Sequence, residues 1–156
     1  MARLLIVHHT VSPATQELLD AALDGARTDD IEGVRVQVKA ALSATVTDLL
    51  EADAVVLGTP ANIGYMSGAL KHFFDTVYYP AQSDTEGIPY TLYVHGGNDT
   101  SGAVRAVESI TKGMGWQRHR PPVTVTGRPD SQSREACWEL GAVTALAALE
   151  REEGRG

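Results

Sequence analysis

Three short polar stretches carry the residues whose types and spacing suit chemistry. The first, Thr10-Val11-Ser12-Pro13-Ala14-Thr15, sets hydroxyls at Thr10, Ser12 and Thr15. Ser12 is a good N-cap and Pro13 fits the first helical position, so these hydroxyls stand at a helix start. Hydroxyls and exposed amides at the positive end of a helix dipole can hold a phosphate without Lys or Arg. The same residues also suffice for an ordinary cap. The second stretch, Thr59 to Met66, has no side chain suited to acid–base work. Its amides, Asn62 and the gap at Gly64 suit packing around a flat polar ring, and Tyr65 can lie against such a ring. The third, His95-Gly96-Gly97-Asn98-Asp99, lets backbone approach a ligand closely. Its plainer alternative is a helix entry capped by Asp99 or Thr100.

Other reactive groups fit poorly. His8 and His9 are adjacent on a strand and point to opposite faces, so they do not share an ion with His95, and no metal site is expected. Cys137 is the single cysteine, which rules out an internal disulfide and suits a buried structural thiol. His72 reads as surface. Trp116 and Trp138 read as core or interface. Arg118-His119-Arg120 is a basic cluster that suits a solvated loop, or contact with a nicotinamide dinucleotide phosphate. No P-loop, no nucleophile elbow and no GxGxxG after the first strand is present. The acidic residues that a phospho-accepting receiver domain needs at its strand ends are absent too, because those positions carry His8-His9-Thr10 and Leu57-Gly58-Thr59.

The elements that must position these stretches alternate along the chain. Leu4-Leu5-Ile6-Val7 is a continuous apolar run, suited to a strand buried on both faces. A helix follows to about Arg27, with Leu18, Leu19, Ala22, Leu23 and Ala26 on one face. Val34 to Lys39 alternates, which predicts an edge strand with one wet face, and a short helix over about Val46 to Ala52 comes next. Ala54-Val55-Val56-Leu57 is a buried strand that breaks at Gly58-Thr59-Pro60. The helix after it carries Leu70, Phe73, Phe74 and Val77 at i, i+3, i+4, i+7. Pro89 to His95 is a strand, about Thr100 to Met114 a helix, and Val123 to Thr126 a short strand. Asp130 or Ser131 caps a last helix to about Glu150, after which the charged tail from Arg151 frays. Strand–helix alternation of this kind gives an α/β fold of three layers, a five-stranded parallel sheet in the order 2-1-3-4-5 with helices on both faces. That order brings the ends of strands one, three and four side by side, and with them all three polar stretches.

Composition agrees with a single domain over residues 1–156, with 43% hydrophobic and 21% charged residues. A net charge of −7 disfavours non-specific nucleic-acid and anionic-membrane partners. No apolar run is long enough for a signal peptide core or a membrane helix, so a cytoplasmic location is expected.

Three segments resemble the flavodoxin-like FMN proteins, and more closely their NAD(P)H-dependent FMN reductase and quinone reductase relatives. LLIVHHTVSPATQELLDA resembles the family's strand, phosphate loop and helix. GTPANIGYMSGALKHFFD resembles the segment that passes along the isoalloxazine ring, from its Gly-Thr-Pro start to Lys71, Phe73 and Asp75. YVHGGNDTSGAVRAVESI resembles the third flavin loop and its helix. The resemblance implies that Thr10, Ser12, Ala14 and Thr15 hold the FMN phosphate. It implies ring contacts from Thr59, Pro60, Ala61, Asn62, Ile63, Gly64, Tyr65 and Met66, and cover from His95, Gly96, Gly97, Asn98 and Asp99. Pro13 stands where the family's T-x-T-G-x-T loop carries Gly, and Asn62 where an aromatic residue is frequent. The activity implied is FMN-dependent transfer of electrons from NADH or NADPH to a quinone-like or other small acceptor, with the flavin and no side chain carrying the chemistry. A flavodoxin-type one-electron carrier and a scaffold that has lost its flavin are the alternatives. A homodimer, through the family and the apolar last helix, is the expected assembly.

Overall fold

The computed structural model describes residues 1–155. One sheet forms its middle. Strand β1 (Ala2–His8) lies between β2 (Val34–Ala40) and β3 (Ala54–Asn62), and β3 lies beside β5 (Pro89–Gly96), all parallel. Beyond β5 come two short strands, β6 (Gln117–Arg118) and β7 (Val123–Thr126), each parallel to a different part of it. The fifth strand of the expected order is thus split, because Pro121 and Pro122 cannot donate to a ladder. Its first piece, β6, carries no apolar run and is not visible in the sequence pattern. With that change the order is the expected doubly wound one, a flavodoxin-like sheet with helices on both faces.

Period-two alternation separates two cores. Leu5, Val7, Val55, Leu57, Leu92 and Val94 face helices α2 (Val46–Leu50), α3 (Gly68–Ala81) and α4 (Ser101–Gly113). Leu4, Ile6, Ala54, Val56 and Tyr93 face α1 (Pro13–Ala26) and α5 (Ser131–Arg155). Three buried polar pairs tie these layers, Thr91 with Thr144 at 2.7 Å, Thr111 donating to the Tyr90 hydroxyl at 2.9 Å, and the Trp116 indole donating to Thr85 at 3.0 Å, while the buried Tyr93 hydroxyl has no partner among the described residues. Cys137 is fully buried, and burial pushes its thiol up to about 12, as a structural thiol requires.

Two elements are longer than their sequence pattern suggests. Strand β3 does not break at Gly58-Thr59-Pro60; it runs on to Asn62 and turns back as β4 (Tyr65–Met66). The Gly58 carbonyl accepts from His9 N–H on the β1 side. Pro60, two residues on, faces that same side beyond the end of β1, so its missing N–H deprives no partner. Helix α5 does not end at Glu150 but reaches Arg155. Arg151 donates to the Glu86 carbonyl at 3.3 Å, and Arg155 pairs with Asp53, which is only 3% exposed and also accepts from Arg3 N–H at 2.8 Å. At the same edge the Met1 ammonium lies 3.9 Å from Glu152. No helix among the described residues is long and apolar enough to cross a membrane.

Helices α1 and α5 touch backbone to backbone. A Cβ added at Gly141 would lie 1.9 Å from the Ala22 carbonyl oxygen, and one at Gly25 would lie 1.9 Å from that of Trp138. Gly141→Ala should therefore destabilise the protein by about 1–3 kcal/mol through overpacking, seen as a lower urea midpoint at unchanged slope. An unchanged midpoint would mean that the two helices can separate without cost.

Candidate functional site

The β1–α1 loop is organised by two hydroxyls. Ser12 has extended backbone (φ −152°, ψ 163°), and its side chain accepts from Thr15 N–H at 3.1 Å. The buried Thr15 hydroxyl accepts in return from Val11 and Ser12 N–H, both at 3.0 Å. Thr15 thus braces the loop from beneath, while Thr10, Ser12 and Ala14 remain partly exposed above it. The amides of Thr10 and Ala14 have no hydrogen-bond partner among the described residues. His8 Nδ1 lies 2.8 Å from Thr10 Oγ1. His9 Nδ1 is buried with no partner among the described residues, an orphaned polar atom beside the loop.

The second stretch is a hairpin rather than an open loop. Ala61 pairs with Met66 and Asn62 with Tyr65. The two residues between them, Ile63 and Gly64, have φ of +50° and +71°, the signs of a type I′ turn. Ile63 is β-branched, so this conformation is strained, and its side chain is 105% exposed with nothing to pack on. Thr59 and Met66 are buried supports: the Thr59 hydroxyl accepts from Ser67 N–H at 3.0 Å and donates to the Pro60 carbonyl at 2.8 Å. Asn62, Ile63, Gly64 and Tyr65 form the exposed tip, with Ala61 partly exposed and Pro60 buried at its base.

The third stretch closes the arrangement. His95, the last residue but one of β5, turns its ring to the edge, where Nε2–H donates to the Gly127 carbonyl at 2.7 Å. A carbonyl only accepts, which fixes the proton on Nε2. Gly127 N–H donates to the Gly96 carbonyl at 3.0 Å, so the turn after β7 supports this loop. Asp99 accepts from Ser101 N–H at 2.9 Å and from the Ser101 hydroxyl at 2.7 Å, and these bonds hold its carboxyl below the usual range. Gly97 and Asn98 are exposed.

Pairing brings the three stretches together. His8 is in register with Gly58, and Pro60 with His95. A Cβ at Gly96 would sit 3.3 Å from the Ala61 Cβ, and one at Gly102 would sit 1.9 Å from the Gly64 carbonyl oxygen. Helix α4 therefore starts in direct contact with the hairpin turn. The result is an open shelf along the carboxyl ends of β1, β3 and β5. Concavities of about 490 Å³ between α1 and α5 and about 650 Å³ beside α4 lie elsewhere. The sequence reading misses the hairpin, the Gly127 support and the close approach at Gly102; only Gly64, following the short Asn62-Ile63 pair, hinted at a turn.

The family model for NADPH-dependent FMN reductases matches residues 8–124. The chain is 28% identical over 158 residues to a flavodoxin of Aquifex aeolicus, covering 90% of this chain and 84% of the relative. It is 28% identical over 97 residues to an NAD(P)H dehydrogenase (quinone) of Archaeoglobus fulgidus, covering 48% of this chain and 51% of the relative. In that comparison the match spans about half of either protein. Among solved structures, a flavodoxin, WrbA-like protein from Agrobacterium tumefaciens superposes with a TM-score of 0.78 at 16% identity, covering 97% of this chain and 99% of that one.

Two outcomes are expected. Ile63→Asn replaces a strained residue by one that favours the turn, and should stabilise the protein by about 1 kcal/mol in urea unfolding; a loss would mean that Ile63 is held by packing. Burial, then His9, holds His8 below its ordinary value of 6.5. As pH falls through that value the unfolded chain takes up a proton that native His8 refuses, so stability falls too. His119, held down by burial and Arg120, adds the same slope. His8→Gln should lessen but not abolish the drop in urea midpoint between about pH 7.5 and about pH 5.5. An undiminished drop would clear His8 of any part in it.

Proposed function

This chain belongs to the NADPH-dependent FMN reductase family, and we propose that it is an FMN-binding oxidoreductase that draws electrons from NADH or NADPH and passes them to quinone-like or other small acceptors. The observation that carries this reading is the meeting of three loops on one shelf, with register fixed by His8 against Gly58 and Pro60 against His95.

The donor set of the shelf fits FMN. Hydroxyls of Thr10 and Ser12 and unpartnered amides of Thr10 and Ala14, at the start of a 14-residue helix, suit a phosphate. The missing amide at Pro13 is offset by these groups, and Thr15 holds them in place. The backbone of Ala61 to Tyr65 suits the edge of a flat ring, with the exposed Tyr65 ring available to lie against it. On the opposite side Gly97 has nothing within 4 Å of where a Cβ would stand, which leaves room for close approach. Bound FMN would supply the hydride and electron transfer chemistry. The chain's part is to bind and orient it and to keep one ring face open to the partner molecule. No side chain is required as acid or base. A homodimer forming over the outer side of α5, where Trp138 and Leu146 are exposed, belongs to the same proposal.

A one-electron carrier of the flavodoxin type is the second reading. It is favoured by the span of the Aquifex aeolicus match, 90% of this chain against 48% for the quinone dehydrogenase. Turnover separates the two, since a carrier does not oxidise NADH or NADPH directly.

Purified protein mixed with FMN and desalted should keep the visible flavin absorption bands and should then oxidise NADH or NADPH with a quinone as acceptor. Loss of all flavin on desalting, with no binding at high FMN, would defeat the proposal. Thr10→Val should weaken FMN about tenfold, or ~1.4 kcal/mol, and leave riboflavin binding unchanged. Equal loss for both ligands would move the phosphate away from this loop.

A further inference from the structure

We propose that the groove between α4 and β6 binds the phosphorylated adenosine half of NADPH, so that the dinucleotide lies along α4 with its nicotinamide at the shelf. The subsite rests on the reductase reading above and gives that reading a preference for NADPH over NADH.

The groove has a volume of about 650 Å³, within the usual range for small-ligand sites. Its rim carries Arg105, Lys112 and Arg118 against one carboxylate, Glu108. That is a local excess of positive charge on a chain of net charge −7. Arg118 lies 3.5 Å from Glu108, an exposed and weak pairing. Arg105 and Lys112 are exposed and make no ion pair among the described residues. The floor is apolar and aromatic: Trp116 and Tyr90 line it, with ring centroids 5.9 Å apart. Cations around an aromatic floor suit a flat base bearing phosphates.

Helix geometry supplies the reach. Arg105 and Lys112 stand at i and i+7, on one face of α4. At 1.5 Å per residue, Arg105 lies about 6 Å and Lys112 about 16 Å along the axis from Ser101. Ser101 follows the shelf loop directly, and Gly102 touches the hairpin turn. The groove therefore begins about one helical turn below the shelf and continues away from it. Arg118 faces it from β6, which pairs with the start of β5 at Tyr90. A ligand running from shelf to groove has to be elongated, flat at one end, and anionic at the other. A single phosphate or a nucleoside alone would leave one of the two regions without a partner.

The test uses the full chain loaded with FMN and carrying Trp138→Phe, which leaves Trp116 as its sole indole because the sequence has two tryptophans. Titration with 2′,5′-ADP should change Trp116 emission, more weakly at high salt, and 5′-AMP should bind at least tenfold less tightly. The exposed double variant Arg105→Glu/Lys112→Glu should lose at least tenfold in 2′,5′-ADP affinity. Its ratio of kcat/KM for NADPH over NADH should fall by a similar factor, through KM. Equal affinity for the two nucleotides, or an unchanged ratio in the variant while NADH and NADPH are still oxidised, would overturn the subsite and leave the reductase reading standing. Bound FMN without oxidation of either nicotinamide would overturn the reductase reading, and the subsite with it.

Discussion

The structure depends on the parallel pairing of β3 with a neighbour on each side. One ladder sets His8 beside Gly58, the other sets Pro60 beside His95. Parallel pairing fixes where each strand stops relative to its neighbours: β1 stops opposite Gly58, while β3 and β5 run on together past Pro60 and His95. The loops that leave those ends have to share one edge, whatever their own preferences. A one-residue slip in either ladder would turn Val55 and Leu57 from one core to the other, so register is enforced by burial on both faces. The position of the site is thus a by-product of how the cores are filled.

That enforcement explains the local strain that the shelf tolerates. Ile63 keeps a positive φ because the hairpin is clamped on both sides, by the Thr59–Ser67 bond at its base and by the start of α4 at its turn. Strain at a residue persists where the surroundings over-determine it. The orphaned nitrogen of His9 is the same kind of feature, a local cost kept because the surrounding structure holds it in place.

Much of the fold was legible in the sequence because it rests on period. Leu4 to Val7 and the Leu70–Val77 face bury what their spacing says they should, and Val34, Val36 and Val38 of the alternating stretch pack partly buried against the α1–α5 core. What escaped rests on long-range contacts that leave little trace in local pattern. Strand β3 carries on through Pro60 only because β1 has already stopped. The tail after Glu150 stays helical through partners distant in sequence, the Glu86 carbonyl for Arg151, Met1 for Glu152 and the buried Asp53 carboxylate for Arg155. In the site, all three polar stretches could be located, but not the roles within them. The Thr15 and Thr59 hydroxyls bond to the backbone of their own loops, and a hydroxyl that serves its own loop looks the same in sequence as one that serves a partner. His95 likewise turns to Gly127, a residue brought near only by the pairing of β5 with β7.

Met1 and the last turn of α5 meet at the edge of the sheet opposite the shelf. Met1 lies against Glu152, and Arg155 reaches the carboxylate that also accepts from Arg3 N–H. Ends so close allow the polypeptide to be closed into a ring by a short linker and reopened elsewhere, for instance in the exposed turn at Ser83 and Asp84. They also mean that a second polypeptide fused at either end would leave from the far side of the sheet, with the three loops still facing open solvent.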